Sequence, residues 1–249
     1  GGGDNIKSEL TEPTPIGGSN HSFVLRRKRM KKFIALALVV TACVSAFAEH
    51  TLGIGFSMPI ASYKVEYDDT TETDTFKENG YDFTFTYIFV SDESGFSLKI
   101  DESLGTVKSK DFDDIDKTLG DSSNFNDTFN IGLGFAPIHN ERFTLSVLGS
   151  IGFNLSNYAW SKTIGQYKLT ADCLLFTFNF GGEVFGIVRF TDHFGAFGSL
   201  ALRMPVGAGA LAFSYPKGAL SDNSSYKDWS FSVNGSYVFT PSFGLTWTF

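Results

Sequence analysis

An antiparallel β-barrel is the fold class that the sequence predicts. Three observations favour it: long alternations of apolar and polar residues, an even number of such segments, and a high content of phenylalanine and glycine. The chain has 249 residues, 42% of them hydrophobic and only 19% charged, with 27 Phe and 26 Gly. Aromatic residues favour strands over helices, and the length suits one domain. We therefore expect an all-β domain.

The alternations have a period of two residues, which is typical of β-strands. From residue 230 to the end, one alternation runs without a slip, with large side chains such as Phe239, Phe243 and Trp247 at odd positions. Similar alternations cover residues 81–89, 129–135, 143–153 and 174–188, and less regular strands fit at 51–60, 96–104 and 194–206. The total is eight strands, an even number, as a closed bacterial barrel requires.

The predicted connections fall into two kinds. Those near 91–95, 138–142 and 191–193 are short, whereas those at 62–80, 105–126, 157–170 and 208–227 are long and polar. Because short and long connections alternate, the pattern predicts an eight-stranded up-and-down transmembrane barrel. It has three short periplasmic turns and four long external loops.

The volume of the lumen decides which face points inward. An eight-stranded barrel has an interior just wide enough for side chains to fill, so the aromatic face is expected to point to lipid and the polar face to the lumen. Glu102 falls on the aromatic face and is expected near the outer interface. The predicted lumen charge cluster consists of Asp82, Lys99, Asp101, Glu183, Arg189 and Arg203. Opposite charges in so narrow a space are expected to pair and plug it.

Aromatic residues at the loop ends of the predicted strands suggest an interfacial girdle. They are Tyr81, Tyr158, Trp160, Tyr226 and Trp229.

The N-terminal part of the chain predicts export. Residues 30–48 have a basic start, an apolar run and small residues at Ala46 and Ala48, which is the pattern of a signal peptide cleaved after Ala48. The apolar run is too short for a membrane-spanning helix. Alternatively, Cys43 is retained as the acylated residue of a lipoprotein signal. Residues 1–29 are interpreted as an upstream leader outside the fold, and residues 49–249 as the barrel.

Charge and cysteine content narrow the classes of partner. The chain has 20 basic and 27 acidic residues, and after removal of the seven basic and three acidic residues before position 49, 13 basic and 24 acidic residues remain. An excess of acidic residues argues against a nucleic-acid partner. Cys173 is the single cysteine after position 48, so no intrachain disulfide is expected there.

The C-terminal strand carries a resemblance. Phe243, Leu245, Trp247 and the terminal Phe249 resemble the last-strand signal that the outer-membrane assembly machinery recognises. With the signal peptide and the loop layout, the chain resembles the class of small outer-membrane barrels that includes OmpA, OmpX and OmpW. Its style is similar to OmpW-like barrels of spirochaetes. The resemblance implies an outer-membrane location, contact with lipid, and the assembly machinery as a partner during biogenesis.

The candidate sites for chemistry are few. Acidic residues crowd the first two long loops, but the run from Asp111 to Asp116 places Ile115 where a calcium ligand is needed. The histidines His50, His139 and His193 all map to the predicted periplasmic end. The acidic loop residues are Glu66, Asp68, Asp69, Glu72, Asp74, Glu78, Asp111, Asp113, Asp114, Asp116, Asp121 and Asp127. We therefore expect no catalytic residues, no metal and no cofactor.

The function that this pattern favours is a non-enzymatic outer-membrane barrel with an envelope-structural or surface-interaction role. One alternative is a conduit for small hydrophobic molecules, as the OmpW resemblance suggests. A second alternative is a lipid-modifying enzyme, which would require a histidine beside a serine or carboxylate at the outer rim.

Overall fold

The computed structural model describes residues 48–67, 73–109, 111, 120, 123–164, 167–214 and 226–249. These residues form ten β-strands: β1 (Ala48–Ser57), β2 (Ile60–Tyr67), β3 (Thr73–Ser91), β4 (Phe96–Lys108), β5 (Ser123–His139), β6 (Phe143–Ile164), β7 (Tyr167–Arg189), β8 (Phe194–Ser214), β9 (Tyr226–Val233) and β10 (Tyr237–Thr248). The predicted leader (1–29) and all of the signal peptide (30–48) except Ala48 lie outside the described residues.

The ten strands form one closed antiparallel ring. Consecutive strands from β2 to β9 pair with one another, while β1 pairs with both β3 and β10. Strand β10 also pairs with β8 and with the start of β2, so the two ends of the chain close the ring. An all-β up-and-down fold is thus confirmed, but the structure has ten strands where the sequence predicted eight.

The first extra strand, β2, lies inside the predicted loop 62–80. It is separated from β1 by Met58 and Pro59, and proline has no N–H to give to a ladder. The Met58 N–H donates to the carbonyl of Pro241 at 3.0 Å, and the Gly80 N–H donates to the carbonyl of Pro59 at 2.8 Å. Hydrogen bonds to both neighbours therefore continue across this interruption.

The second extra strand, β9, is separated from β10 by Asn234, Gly235 and Ser236. Between the pairs Ser62–Tyr237 and Val65–Val233, two residues of β2 face three residues of the other chain segment. One extra residue inverts the side-chain alternation, and Gly235 has the positive φ of 65° that this bulge needs. Val233 is accordingly buried while Tyr237 is exposed. The predicted uninterrupted alternation from 230 to 249 is wrong at this point.

The strands extend far into the segments predicted as long loops. Strand β6 runs to Ile164 and β7 starts at Tyr167, so the predicted loop 157–170 is almost entirely strand. Strands β8 and β9 likewise extend into the predicted loop 208–227. At the opposite end of the ring, residues 92–95, 140–142 and 190–193 join consecutive strands.

A band of large apolar side chains covers the outside of the ring. On β3 it runs from Tyr81 to Tyr87, and on β7 from Leu174 to Val188 at every second position. Phe176 and Phe178 are about half exposed, whereas their neighbours Thr177 and Asn179 are buried. The predicted outward orientation of the aromatic face is confirmed for these strands.

Beyond this band, on the side of the ring away from the short turns, the two faces exchange character. On β2 the outward residues are Lys64 and Glu66, whereas Ala61, Tyr63 and Val65 are buried inside. A water-exposed barrel puts polar groups outside and apolar groups inside. The strands therefore continue above the apolar band as a segment with the opposite pattern. Among the described residues, no helix is long and apolar enough to cross a membrane.

Candidate functional site

Strand β7 passes through every layer of the lumen. Cys173 and Leu175 belong to an upper apolar layer, Thr177, Asn179 and Glu183 to a polar middle layer, and Phe185 and Ile187 to a lower apolar layer near the short turns. In the lower layer the rings of Phe185 and Phe197 stack with centroids 5.5 Å apart. The lumen is thus filled by apolar side chains at both ends and by polar ones between them.

Four of the six predicted lumen charges form one ion-pair network in the middle layer. The Lys99 ammonium binds the Asp101 carboxylate and lies 2.6 Å from Oε1 of Glu183. Arg203 approaches Oε2 of Glu183 at 3.4 Å, and Thr86 donates to Asp101 at 2.5 Å. All four charged side chains are buried. Two cations and two carboxylates therefore neutralise one another here.

The other two predicted charges lie outside this network. Asp82 is buried on the inward face of β3, where its Oδ2 accepts a 2.9 Å hydrogen bond from Asn126. Arg189 lies at the short-turn end, where it binds Glu49 and donates to the backbone carbonyl of Asn140 at 2.8 Å. The predicted cluster is therefore three separate groups.

Glu78 was predicted in a solvated loop, but it is buried inside the ring above the outward apolar band. Tyr158 donates a 3.0 Å hydrogen bond to its carboxylate, and Ser156 lies 3.5 Å away. Ser156 also donates to the Asn126 side chain at 3.1 Å, and Asn126 in turn binds Asp82. Ser156 and Asn126 thus lie between the two carboxyl groups, and the single hydroxyl proton of Ser156 is shared between Asn126 and Glu78 as alternative acceptors.

The surroundings of Glu78 change its acidity. Burial raises the pKa of its carboxyl to about 7, although hydrogen bonds from Tyr158, Tyr63 and Ser156 oppose this. The same environment keeps the neighbouring thiol of Cys173 protonated, because burial and the nearby Glu78 raise its pKa to about 12. Alternation along β3 places Glu78 on the face of Asp82 and Thr84, and that parity is the sequence signal for its burial.

The predicted aromatic girdle is corrected in part. Tyr81 is 73% exposed on the outer face, as expected, but Tyr158 and Trp160 are buried inside the ring. Both occupy even positions of β6, whose outward residues are odd, so they pack in the upper apolar layer. The side chains of Tyr226 and Trp229 lie outside the described residues.

Glu102 lies on the outward face of β4, as its parity predicted. Its cross-strand neighbours are Phe85 and Phe129, and Asp127 lies on the same outer surface. Asp127 was predicted in an acidic loop but belongs to β5. Two carboxylates therefore interrupt the upper part of the apolar band.

The remaining predicted positions fall at the ends of the ring. Ala48 begins β1, whereas Ala46 and Cys43 lie outside the described residues. Side chains of the predicted assembly signal, Phe243, Leu245, Trp247 and Phe249, are all exposed on the outer face. The three histidines lie at the short-turn end, where His50 accepts or donates a 2.7 Å hydrogen bond with Tyr87 and stacks on Phe249.

The predicted acidic loops are described only in part. Glu66 and Asp74 are exposed on strands, and the exposed Asp111 accepts a 2.7 Å hydrogen bond from the Lys77 N–H. The positions of Asp68, Asp69, Glu72, Asp113, Asp114, Asp116 and Asp121 lie outside the described residues. Where the structure does describe side chains, it contains no group of three histidine, cysteine, aspartate or glutamate residues that could hold a metal ion.

Two cavities accompany these groups. One, of about 30 Å³, lies in the middle layer of the lumen beside Asp82, Asn130 and Arg203. This volume accommodates about one or two water molecules. The other is an open apolar groove of about 420 Å³ on the outer wall, which we call the wall groove. Residues from β1, β3, β8 and β10 line it: Ile54, Gly55, Phe56, Phe83, Ala196, Phe197, Phe243, Gly244 and Leu245.

Known proteins resemble the chain in architecture and not in sequence. No family model matches the sequence, and no curated protein matches it significantly. Outer membrane protein OprG from Pseudomonas aeruginosa matches in structure with a TM-score of 0.49 and 11% identity, over 82% of this chain and 96% of that one. At such a score and identity the likeness does not extend to a ligand, a substrate or a partner.

Two further outer-membrane proteins match in the same way. A major outer membrane protein of Thermus thermophilus gives a TM-score of 0.47 at 10% identity, over 79% of this chain and 99% of that one. Ail, the attachment invasion locus protein of Yersinia pestis, gives 0.39 at 13% identity, over 82% and 99%.

Proposed function

We propose that the chain is an integral outer-membrane β-barrel with a closed lumen and a non-enzymatic role in envelope structure or surface interaction. The observation that carries this proposal is the outward band of large apolar side chains around a polar, charged interior. A soluble barrel would bury such a band, whereas lipid is its natural solvent. On β5 and β6 the band covers residues 125–135 and 145–155, which suits the roughly 9–11 residues that a tilted strand needs to cross a bilayer.

The ten strands would then form eight membrane-crossing segments of the barrel. Strands β1 and β2 both pair with β3, and β9 and β10 both pair with β8. Strands β1 and β2 would therefore cross the membrane as one segment with a local interruption, and so would β9 and β10. The segment above the band, with Lys64, Asp74 and Asp172 on its outer surface, would project into water on the cell surface and offer the contact area for a partner.

The closed lumen supports a structural role over conduction. The network of Lys99, Asp101, Glu183 and Arg203 lies between two apolar layers, and the cavity beside it is about 30 Å³. An ion moving along this axis would have to separate buried ion pairs, which costs several kcal/mol.

The decisive experiment is planar-bilayer conductance of the full chain, expressed in cells and purified from their outer membrane. Heat-modifiable gel mobility first establishes that the protein is a folded barrel. We expect a silent membrane, while discrete conductance steps would overturn the closed-lumen proposal. N-terminal sequencing of the same protein tests export, with Glu49 expected as the first residue after processing and an acylated Cys43 as the contrary result.

The wall groove favours a second candidate function, a conduit for small hydrophobic molecules that exchange laterally with the membrane. The paired glycines Gly55 and Gly244 lie in its floor, and Phe197 lines it as well. Uptake of a small alkane by cells with the wild-type protein is compared with uptake by an Ala196→Phe variant, which fills the groove. Leu200→Phe, on the same outer face of β8 but outside the groove, is the matched control. Loss of uptake in Ala196→Phe alone would favour the conduit.

A further inference from the structure

We propose that the middle layer of the lumen binds one monovalent metal cation, of the size of sodium, at Asp82. This site is separate from the ion-pair network and does not depend on the location of the barrel.

The charges that line the middle cavity do not balance. They are the carboxylates of Asp82, Asp101 and Glu183 and the cations of Lys99 and Arg203. Lys99 is held by Asp101 and Glu183, and Arg203 is directed at Glu183 and at Ser150. Asp82 has a neutral amide, Asn126, as its hydrogen-bond partner. A buried carboxylate in this situation is neutralised either by a proton or by a counter-ion, and the counter-ion is the alternative that applies at a pH where the carboxyl is ionised.

Two oxygen atoms at the cavity have no hydrogen-bond partner in the structure. They are Oδ1 of Asp82 and Oδ1 of Asn130, whose residues are 2% and 3% exposed. Buried polar atoms in proteins almost always have a partner. Both residues line the same cavity, so the cavity offers two oxygens with unused lone pairs, and the Asp82 oxygen is the one that carries charge.

Two inward-facing glycines provide space for these oxygens. A Cβ atom on Gly105 would lie 2.4 Å from Oδ1 of Asp82, and one on Gly152 would lie 2.4 Å from Oδ1 of Asn130. The hydroxyls of Thr84 and Ser103, 2.9 Å apart, line the same cavity. The available ligand set is therefore one carboxylate, one amide oxygen and hydroxyl oxygens.

This ligand set fits a hard cation of single charge. Calcium takes six to eight oxygens, usually from several carboxylates, and magnesium keeps several of its waters, whereas this site offers one unpaired carboxylate and space for about one or two water molecules. Transition metals prefer imidazole or thiolate ligands, and the cavity lining contains neither. One carboxylate with one excess negative charge is matched by one monovalent ion without its hydration shell.

The test compares sodium chloride with N-methylglucamine chloride at equal ionic strength and pH 8, using the full chain purified in detergent. The large organic cation does not fit the cavity. We expect the unfolding temperature to rise with sodium alone, by about 3–6 °C at a tenfold excess over the dissociation constant. Asp82→Asn abolishes this rise, whereas Asp92→Asn, at an exposed turn, retains it. Equal stabilisation by the two salts, or a sodium response that persists in Asp82→Asn, would overturn the proposal.

Two further measurements keep the proposal testable if Asp82→Asn does not fold. Sodium-23 NMR of the wild-type protein should show line broadening that disappears when an excess of potassium or lithium displaces sodium from the site. Sharp lines throughout would contradict the site. Asn130→Ala keeps the carboxylate but removes the amide oxygen, so its sodium response should weaken severalfold. In a Glu78→Gln background, a stability that still falls with rising pH and is independent of sodium would assign the site to a proton instead.

Discussion

Replacement of Lys99 by methionine is the sharpest test of the closed lumen. Methionine keeps an unbranched apolar stem one atom shorter than lysine, and it removes the ammonium, which lies 4.9 Å from the ring centroid of Phe185. The change leaves Asp101 and Glu183 buried with Arg203 as their one cation within the network. Breaking a buried ion pair by removal of one partner costs about 3–5 kcal/mol. We therefore expect Lys99→Met to lower the free energy of unfolding by about that amount.

The free energy of unfolding is measured by urea titration in lipid vesicles, with tryptophan fluorescence as the signal. Lys108→Met, at the exposed end of the same strand, is the matched control and should change stability by less than about 0.5 kcal/mol. The double variant Lys99→Met with Asp101→Asn removes the uncompensated carboxylate and should recover about 1–3 kcal/mol. A loss below about 1 kcal/mol in Lys99→Met, or no recovery in the double variant, would refute the ion-pair reasoning.

Burial, backbone packing and the apolar band each lead to a further prediction. The pKa of Glu78 is about 7 when folded against 4.5 for the free group, so the folded chain binds more protons between these values. The contribution of Glu78 to the free energy of unfolding is therefore full below about pH 4.5 and is lost, by about 3 kcal/mol in total, as the pH rises through 7. Urea titrations over this range should show the slope in wild type and in the exposed control Glu141→Gln, and a slope of unchanged size in Glu78→Gln would contradict the assignment. Gly55→Ala should destabilise the barrel, because its Cβ would lie 2.1 Å from the backbone oxygen of Phe243. In the control Gly182→Ala, the Cβ would meet nothing closer than 3.7 Å. Equal unfolding midpoints for the two variants would show that the backbone shifts to accommodate the extra methyl group. Leu133→Arg, on the outer face within the band, should cost about 2–4 kcal/mol in vesicles, against about 0–1 for Asn157→Arg above it, and equal costs would show that lipid does not surround the band.

The outward faces of β3 and β7 could be predicted from the sequence, because period-two alternation is a local property of the chain. Phe83, Phe85, Phe176 and Phe178 are exposed for the reason that the pattern gave, namely that the lumen has no room for them. The same parity argument placed Asp82 and Lys99 inside. Local pattern and barrel volume were sufficient for these strands.

Other features depend on relations between distant strands. The inversion at Asn234–Ser236 exists because three residues face two on β2, which alternation along one strand cannot reveal. The division of the six lumen charges into three groups depends on which strands lie opposite one another, and the stagger of the ring determines that. Tyr158 was misassigned because aromatic residues at the loop ends of the predicted strands were expected to form an outward interfacial girdle. Above the apolar band the inward face of β6 is the apolar one, and Tyr158 packs there.

The exchange of faces above the apolar band has a consequence for the tolerance of substitutions. In β7, a polar residue in place of outward Phe178 should be harmful while one in place of inward Thr177 is accepted. A short way earlier in the strand, at inward Cys173 and outward Asp172, the preference is reversed. A complete mutational scan of this strand would therefore contain two opposite periodic patterns that meet at Leu174 and Leu175, where both faces are apolar. If lipid surrounds the band, that junction would locate the boundary between lipid and water from genetic data alone.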